Sequence, residues 1–412
     1  LLLGEVMDRQ GCQFDIHLKG SGPTPFTRGG DGRAPIGPVL REYIMCEAMH
    51  ALGVPTSRAL AAVNTGEWVV RQAREPGAVF TRVATSHVRV GTFQYFALRR
   101  DNEALAQLAN YVIERNYCEE ARYWPRGDSA ADRGQRFLLL FEAICERQAR
   151  LIARWMQLGF IHGVMNTDNM VVSGETIDYG PCAFIDTFDP AKVFSSIDRD
   201  GRYAWQNQPS IGHWNLARLA EALLPLIDSE HSSGIKKLTK ALDSYPKAYE
   251  SAWLELMRAK LGLATDHSGD HQLIDELLDV LQAGKVDYTL FFRRLSSLLA
   301  DDKKGPTKYV DDLFNAPADW HNWLPRWQQR LVQEKSSIGE QKQLMASSNP
   351  AVIPRNHRIA EAIKAAEFEQ DFEPFQRLML ALKNPFQELP EFLSYSKPPQ
   401  QHEQVLRTFC GT

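Results

Sequence analysis

The chain has 412 residues, 44% of them hydrophobic and 24% charged, with 47 basic against 51 acidic side chains for a formal charge of −4. That length is more than one hydrophobic core usually serves, so two or more units are expected, and the near balance of charge argues against a general nucleic-acid or membrane-surface binder. Six scattered cysteines without C-x-x-C or zinc spacing, no apolar run of about 18 residues and no signal peptide argue against a disulfide-built, secreted or membrane-spanning protein, so a cytoplasmic location is expected.

In chain order, residues 1–20 alternate as strands do, most clearly from Cys12 to Lys19, and Lys19 closes the pattern. Leu1 already falls inside a strand, which reads as the start of a fragment. Residues 20–38 hold six glycines and four prolines and predict a long loop. Its Arg28-Gly29-Gly30-Asp31-Gly32-Arg33 run is either a solvated surface or backbone and arginines shaped around phosphate. A helix follows over 39–52 with Glu42 in its first turn, stopped by Gly53-Val54-Pro55. Three short strands are expected at 59–64, 68–74 and 78–85, separated by Thr65-Gly66-Glu67 and Glu75-Pro76-Gly77. Arg82 lies in the third, and Arg89 comes seven residues later. Phe93, Tyr95 and Phe96 suit a core or a hinge. Helices are predicted at 102–116, 134–159, 211–226, 234–261, 270–283, 289–300, 359–367 and 372–382, with a loop at 119–133. Residues 389–412 read as an extended wrap. The long non-helical exception inside the helical part is 166–188, where chemistry is expected.

That exception opens on His162-Gly163-Val164-Met165-Asn166-Thr167-Asp168-Asn169-Met170 and continues to Asp178-Tyr179-Gly180-Pro181. Asp168, Asn169 and Asp178, two carboxylates and an amide, offer hard oxygens of the kind that hold Mg²⁺ alongside phosphate and water. Lys19 on a strand, Glu42 on the next helix, a His-x₆-Asn loop and an Asp-x-Gly are the parts of a protein kinase in kinase order. The kinase proton acceptor's position is taken by Val164, which cannot accept a proton. Asp168, beside Asn169, is placed to take a hydroxyl proton instead. A plain surface carboxylate is the alternative for Asp168 taken alone.

The runs Asp15-Ile16-His17-Leu18-Lys19-Gly20-Ser21-Gly22, Gly30-Asp31-Gly32-Arg33, Arg41-Glu42-Tyr43, the loop from His162 to Met170 and Ile177-Asp178-Tyr179-Gly180-Pro181 resemble the selenoprotein O family. The resemblance spans most of the chain and implies an α+β, protein-kinase-like two-lobed fold. It divides into a nucleotide-binding antiparallel-sheet lobe at 1–95, a helical lobe with catalytic loop and metal site at 96–300, and a helical extension and tail at 301–412. It also implies that ATP binds reversed relative to kinases, that AMP passes to Ser, Thr or Tyr hydroxyls of protein substrates, and that pyrophosphate leaves. By that resemblance Lys19, Glu42, Asp31, Gly32, Arg82, Arg89 and Asp178 serve the nucleotide, Asp168 is the general base, and Asn169 with Asp178 hold Mg²⁺ or Mn²⁺. Cys182 and Cys410 are a candidate redox pair, with two unrelated thiols as the alternative. The family's N-terminal glycine-rich segment is expected upstream of Leu1. A monomer without nucleic-acid or membrane partners is expected. Transfer of UMP from UTP, a nucleotide-binding scaffold without catalysis, and a kinase (against which Val164 argues) are the other readings.

Overall fold

A computed structural model of the chain describes residues 1–25, 27, 29–71, 73–299 and 307–409. Near the start, β1 (Leu2–Met7) pairs antiparallel with β2 (Gln13–Lys19), and β3 (Ala34–Pro35) leads straight into α1 (Ile36–Ala51). The helix begins three residues earlier than expected because Pro35, in extended conformation, is its N-cap.

The three short strands expected between 59 and 85 are two long ones. β4 (Arg58–Val70) and β5 (Arg74–Ala84) form a hairpin. Thr65-Gly66-Glu67 is a register shift inside β4, held by Thr65 Oγ1 donating to the Gly77 carbonyl at 3.0 Å. β5 is the hub of the sheet: it pairs antiparallel with β2, β3 and β4, so the side chains of β2 are fixed against those of β5.

The remainder is mainly helical. α2 (Val90–Leu98) and α3 (Asn102–Asn116) precede the 29-residue α4 (Ala130–Leu158). Ser129 caps α4 by accepting from the Asp132 N–H, which moves its start four residues ahead of the pattern-based one. Gly159, at φ +72°, ends it in the left-handed conformation and turns the chain into β6 (Phe160–Ile161), which pairs with β7 (Ala183–Phe184). The irregular segment expected at 166–188 lies largely between these two short strands.

Then come α5 (Gln208–Ile227), α6 (His231–Leu242), α7 (Tyr245–Lys260), α8 (Asp270–Ala283) and α9 (Tyr288–Leu295). The single helix expected over 234–261 is broken because Pro246 has no N–H to give the Leu242 carbonyl. Beyond it lie α10 (Lys308–Asp311), α11 (Ala318–Val332), α12 (Ile338–Ser348), α13 (Asn356–Lys364) and α14 (Glu373–Leu382).

The last two helices matter for the site. Tyr43 of α1 meets Phe80 of β5 edge-on at 6.5 Å and Phe375 of α14 at 5.4 Å, so α1 is clamped between the sheet and the C-terminal helices. Buried apolar residues form one cluster reaching from Ala34 to Leu382. Among the described residues no helix is long and apolar enough to cross a membrane. After α14, where an extended wrap is expected, the chain makes short helical turns at Pro390–Phe392, Leu393–Ser396 and Gln401–Glu403 joined by extended pieces, and Thr408 pairs with Ser195.

Candidate active site

Alternation along β2 puts His17 and Lys19 on one face, and Arg82 of β5 stands directly opposite His17 in the ladder. Lys19 Nζ donates to Glu42 Oε1 at 2.5 Å and to Asp178 Oδ1 at 2.7 Å. Arg82 Nη1 lies 3.8 Å from the second oxygen of Glu42. Glu42 and Arg82 are buried, so a carboxylate inside the protein is matched by two cations. Residues 19, 42, 82 and 178 are thus gathered from a strand, a helix, a second strand and a loop.

The loop itself is held by its histidine. His162 is fully buried; its Nε2 meets the Ile177 carbonyl at 2.9 Å, and its Nδ1 faces the Val164 N–H at 3.4 Å. Burial holds this imidazole below its ordinary pKa, and the two partners put its single proton on Nε2. His162 therefore pins the start of the loop to the residue before Asp178. Gln208 Oε1 receives the His162 backbone N–H at 2.9 Å. Asn169 Nδ2 donates to the Val164 carbonyl at 3.0 Å, which turns its Oδ1 away as the free-standing acceptor of the amide.

The Arg89 segment is laced to the same loop. Val172 N–H donates to Val88 O, Val90 N–H to Met170 O and Gly91 N–H to Thr167 O, at 3.0, 3.0 and 2.8 Å. Gly91 is in contact with the candidate base: a Cβ there would stand 2.3 Å from Asp168 Oδ1. Nothing in the sequence pattern singled out Gly91; a glycine at the first turn of a helix carries no such signal.

Electrostatically the site is built for negative charge. Burial by itself would raise the Asp178 carboxyl, but Lys19 and Arg82 reverse this and hold it well below the usual carboxylate range. Asp178 also sits at φ +63°, a left-handed conformation that aspartate tolerates better than most residues. Burial, then the neighbouring Arg82, lowers Arg89 to about 10. Arg82 Nε and Nη1 and Arg89 Nε are buried without an acceptor among the described residues. Buried cationic donors left without acceptors mark a place where an anion belongs.

A cavity of about 650 Å³ opens on the side of Lys19, lined by His17, Lys19, Gly22, Asp31, Gly32 and Arg71 among others; Arg82, Arg89 and Asp178 are not in its lining. Asp31 is gripped on both oxygens by Arg71, at 3.0 and 2.8 Å, and that pairing lowers its carboxyl to about 2. Gly32, at φ +63°, lies so close to Gly22 that a Cβ would fall 2.0 Å from the Gly22 carbonyl. The loop closes on itself through the Gly22 N–H to Gly32 O bond at 3.0 Å.

The donor set fits a hard divalent cation. Asp178 is held ionised, Asn169 offers an amide oxygen, and both are oxygen ligands. Among the described residues no cluster of three His, Cys, Asp or Glu exists that could hold a metal alone. Two such protein ligands would leave most of a coordination sphere to phosphate and water, as Mg²⁺ prefers.

Of the remaining candidates, Phe93 is fully buried in α2 and belongs to the core. The Cys182 thiol is buried and donates to the Tyr179 carbonyl at 3.4 Å, and burial pushes it up to about 12. Cys410 lies outside the described residues. The tail before it reaches the neighbourhood of Cys182, since Thr408 Oγ1 donates to the Pro181 carbonyl at 2.6 Å.

Residues 1–383 match the family model described as protein adenylyltransferase SelO. Over its full 412 residues the chain is 55% identical to a Rhizobium etli protein nucleotidyltransferase YdiU, covering 80% of that relative. It is 54% identical to its counterpart from Rhodopseudomonas palustris and 53% identical to that from Agrobacterium fabrum, covering 81% and 82% of them.

Proposed function

The chain belongs to the SelO family and is an enzyme, a protein nucleotidyltransferase, and from that premise we propose that it moves AMP from ATP to Ser, Thr or Tyr hydroxyls of protein substrates. The observation that carries the reading is the pair of buried arginines with unmet donors, Arg82 and Arg89, beside Lys19. The most highly charged part of ATP, its terminal phosphates, answers those donors; an apolar adenine ring does not. The nucleotide therefore lies reversed relative to a kinase, with its β- and γ-phosphates on the arginines and its α-phosphorus open to the acceptor. The cleft lies between a sheet lobe at 1–95 and a helical lobe at 96–300, and in the remaining unit, 301–412, α13 and α14 pack against α1.

In this reading Lys19 holds phosphate oxygens, and Glu42 holds Lys19 in place. Asp31 and Gly32 shape the loop over the nucleotide. Asn169 and Asp178 would hold Mg²⁺ or Mn²⁺, which when bound neutralises phosphate charge and draws electrons from the reacting phosphorus. Asp168 takes the hydroxyl proton as the acceptor oxygen bonds to the α-phosphorus. The bond from that phosphorus to the bridging oxygen breaks, and pyrophosphate departs.

The test is to supply ATP labelled on the α- or the γ-phosphate, and UTP labelled on the α-phosphate, with the chain itself and casein as acceptors. Label from the α-position of ATP should enter protein, and Asp178→Ala should abolish it. Entry of γ-label would make the enzyme a kinase, preference for UTP would change the transferred group to UMP, and no label from any nucleotide would leave a scaffold.

A further inference from the structure

Beside Arg82 and Arg89 two imidazoles stack, His17 on His87, with ring centroids 4.8 Å apart and planes 24° from parallel. His17 faces Arg82 across the ladder and lines the cavity that Lys19 lines. Asp15, two residues earlier on β2 and buried, turns one oxygen onto His87: Oδ2 accepts from the His87 backbone N–H at 2.9 Å and from its Nδ1 at 3.2 Å. Its other oxygen accepts from Arg115 Nη2 of α3 at 2.6 Å. A carboxylate on Nδ1 fixes the tautomer and leaves Nε2 as the acceptor. That Nε2, like His17 Nδ1, is buried and has no partner among the described residues.

The charges facing the pair come from every neighbouring element. Arg82 stands on β5, Arg89 follows it, and Arg115 lies on α3. Against these stand Asp15 and, through Arg115 at 2.6 Å, Glu5 of β1. Burial together with this excess of cations keeps both rings neutral; His87 is lowered to about 4 and His17 further. A bound triphosphate brings several negative charges and reverses the sign of the local field. The group poised to respond is an imidazole with a carboxylate on one nitrogen and nothing on the other.

We propose that the Asp15–His87 pair, with His17 stacked on it, is a positioning device for the phosphate end of the nucleotide. His87 takes one proton from solvent as the polyanion docks, presents the resulting Nε2–H as a further donor, and returns the proton when the phosphates leave. This rests on the nucleotide reading above.

The test is calorimetric binding of Mg²⁺ with the α,β-methylene analogue of ATP, which cannot transfer AMP, at pH 7 in buffers of different ionisation heat. The chain should take up about one proton per analogue, and little or none with AMP. His87→Gln should abolish the uptake and weaken binding about tenfold, the worth of one charge-assisted hydrogen bond. Should His87→Gln not fold, Asp15→Asn gives the same reading, because loss of the carboxylate removes the pull on the proton and the uptake should fall. Analogue binding without proton uptake, or uptake unchanged in the variants, overturns this inference and leaves the nucleotide reading standing. No analogue binding by the unaltered chain overturns both.

Discussion

At the level of single residues Gly91 bears most directly on the proposed chemistry, because a Cβ there would meet the Asp168 carboxylate. Gly91→Ala inserts a methyl group 2.3 Å from Asp168 Oδ1, and the softer partner, a side-chain end, must yield. The backbone bond from Gly91 to Thr167 can persist, so the fold should stand while the proposed base is pushed aside. A displaced general base costs about 10²-fold or more in turnover. Gly91→Ala should therefore lower kcat by roughly that factor, with nucleotide affinity and melting temperature close to those of the parent. Equal loss in affinity and turnover would mean that Gly91 serves the nucleotide and not Asp168. His162, the first residue of the motif loop, is a neutral, buried strut between two parts of that loop.

Among elements, the joint that holds most together is Arg355, the N-cap of α13 and fully buried. It pairs with Asp186 just after β7 and with Asp287 at 2.8 Å, and it donates to the Ser396 carbonyl of the tail at 3.0 Å. Asp287 in turn caps α9 by accepting from Leu290 N–H at 2.9 Å. One guanidinium thus ties a helix start, a second helix start, the segment beyond Asp178 and the C-terminal tail. Arg355→Met should cost about 3–5 kcal/mol of unfolding free energy in urea, since it leaves two carboxylates without their cation. Arg355→Lys should recover only part, because a lysine cannot span both partners. A loss below about 1 kcal/mol would mean that Asp186 and Asp287 find water instead. The hairpin β4–β5 shows where pattern reading stops: Glu75-Pro76-Gly77 has turn composition, yet Pro76 pairs with Trp68 in mid-ladder. Composition registers local preference, and the ladder to β2 and β3 outweighs it.

For the molecule as a whole, buried neutral histidines set the response to acid. His87 and His357 are lowered to about 4, chiefly by burial, and His17 lies lower still. Unfolded, each would bind a proton near 6.5. Between those limits the unfolded chain holds more protons than the folded one, so stability falls as pH falls. The melting temperature should be level above about pH 7 and should drop steadily between about pH 6.5 and 4. Carboxylates held low by their partners, Asp178 by Lys19 and Arg82 and Asp15 by the His87 hydrogen bond and then Arg115, continue the loss at more acid pH. A melting temperature unchanged down to pH 4.5 would contradict the burial of these rings.

Spacing and chemistry put Lys19, Glu42, Asp168, Asn169 and Asp178 forward as candidates, because motif residues lie close to one another along the chain or keep a fixed order, and of these the structure joins Lys19 to Glu42 and Asp178. The same pattern delimited α3 and α8 to the residue, since an uninterrupted apolar period is a local property. What neighbours through space decide was not written there. The His17–His87 stack with Asp15, the contact of Gly91 with Asp168 and the clamp of α14 on α1 join positions 70 to more than 300 residues apart. Such pairings depend on which strand lies beside which and how far a helix is pushed by the one behind it, and only the packed chain fixes those distances.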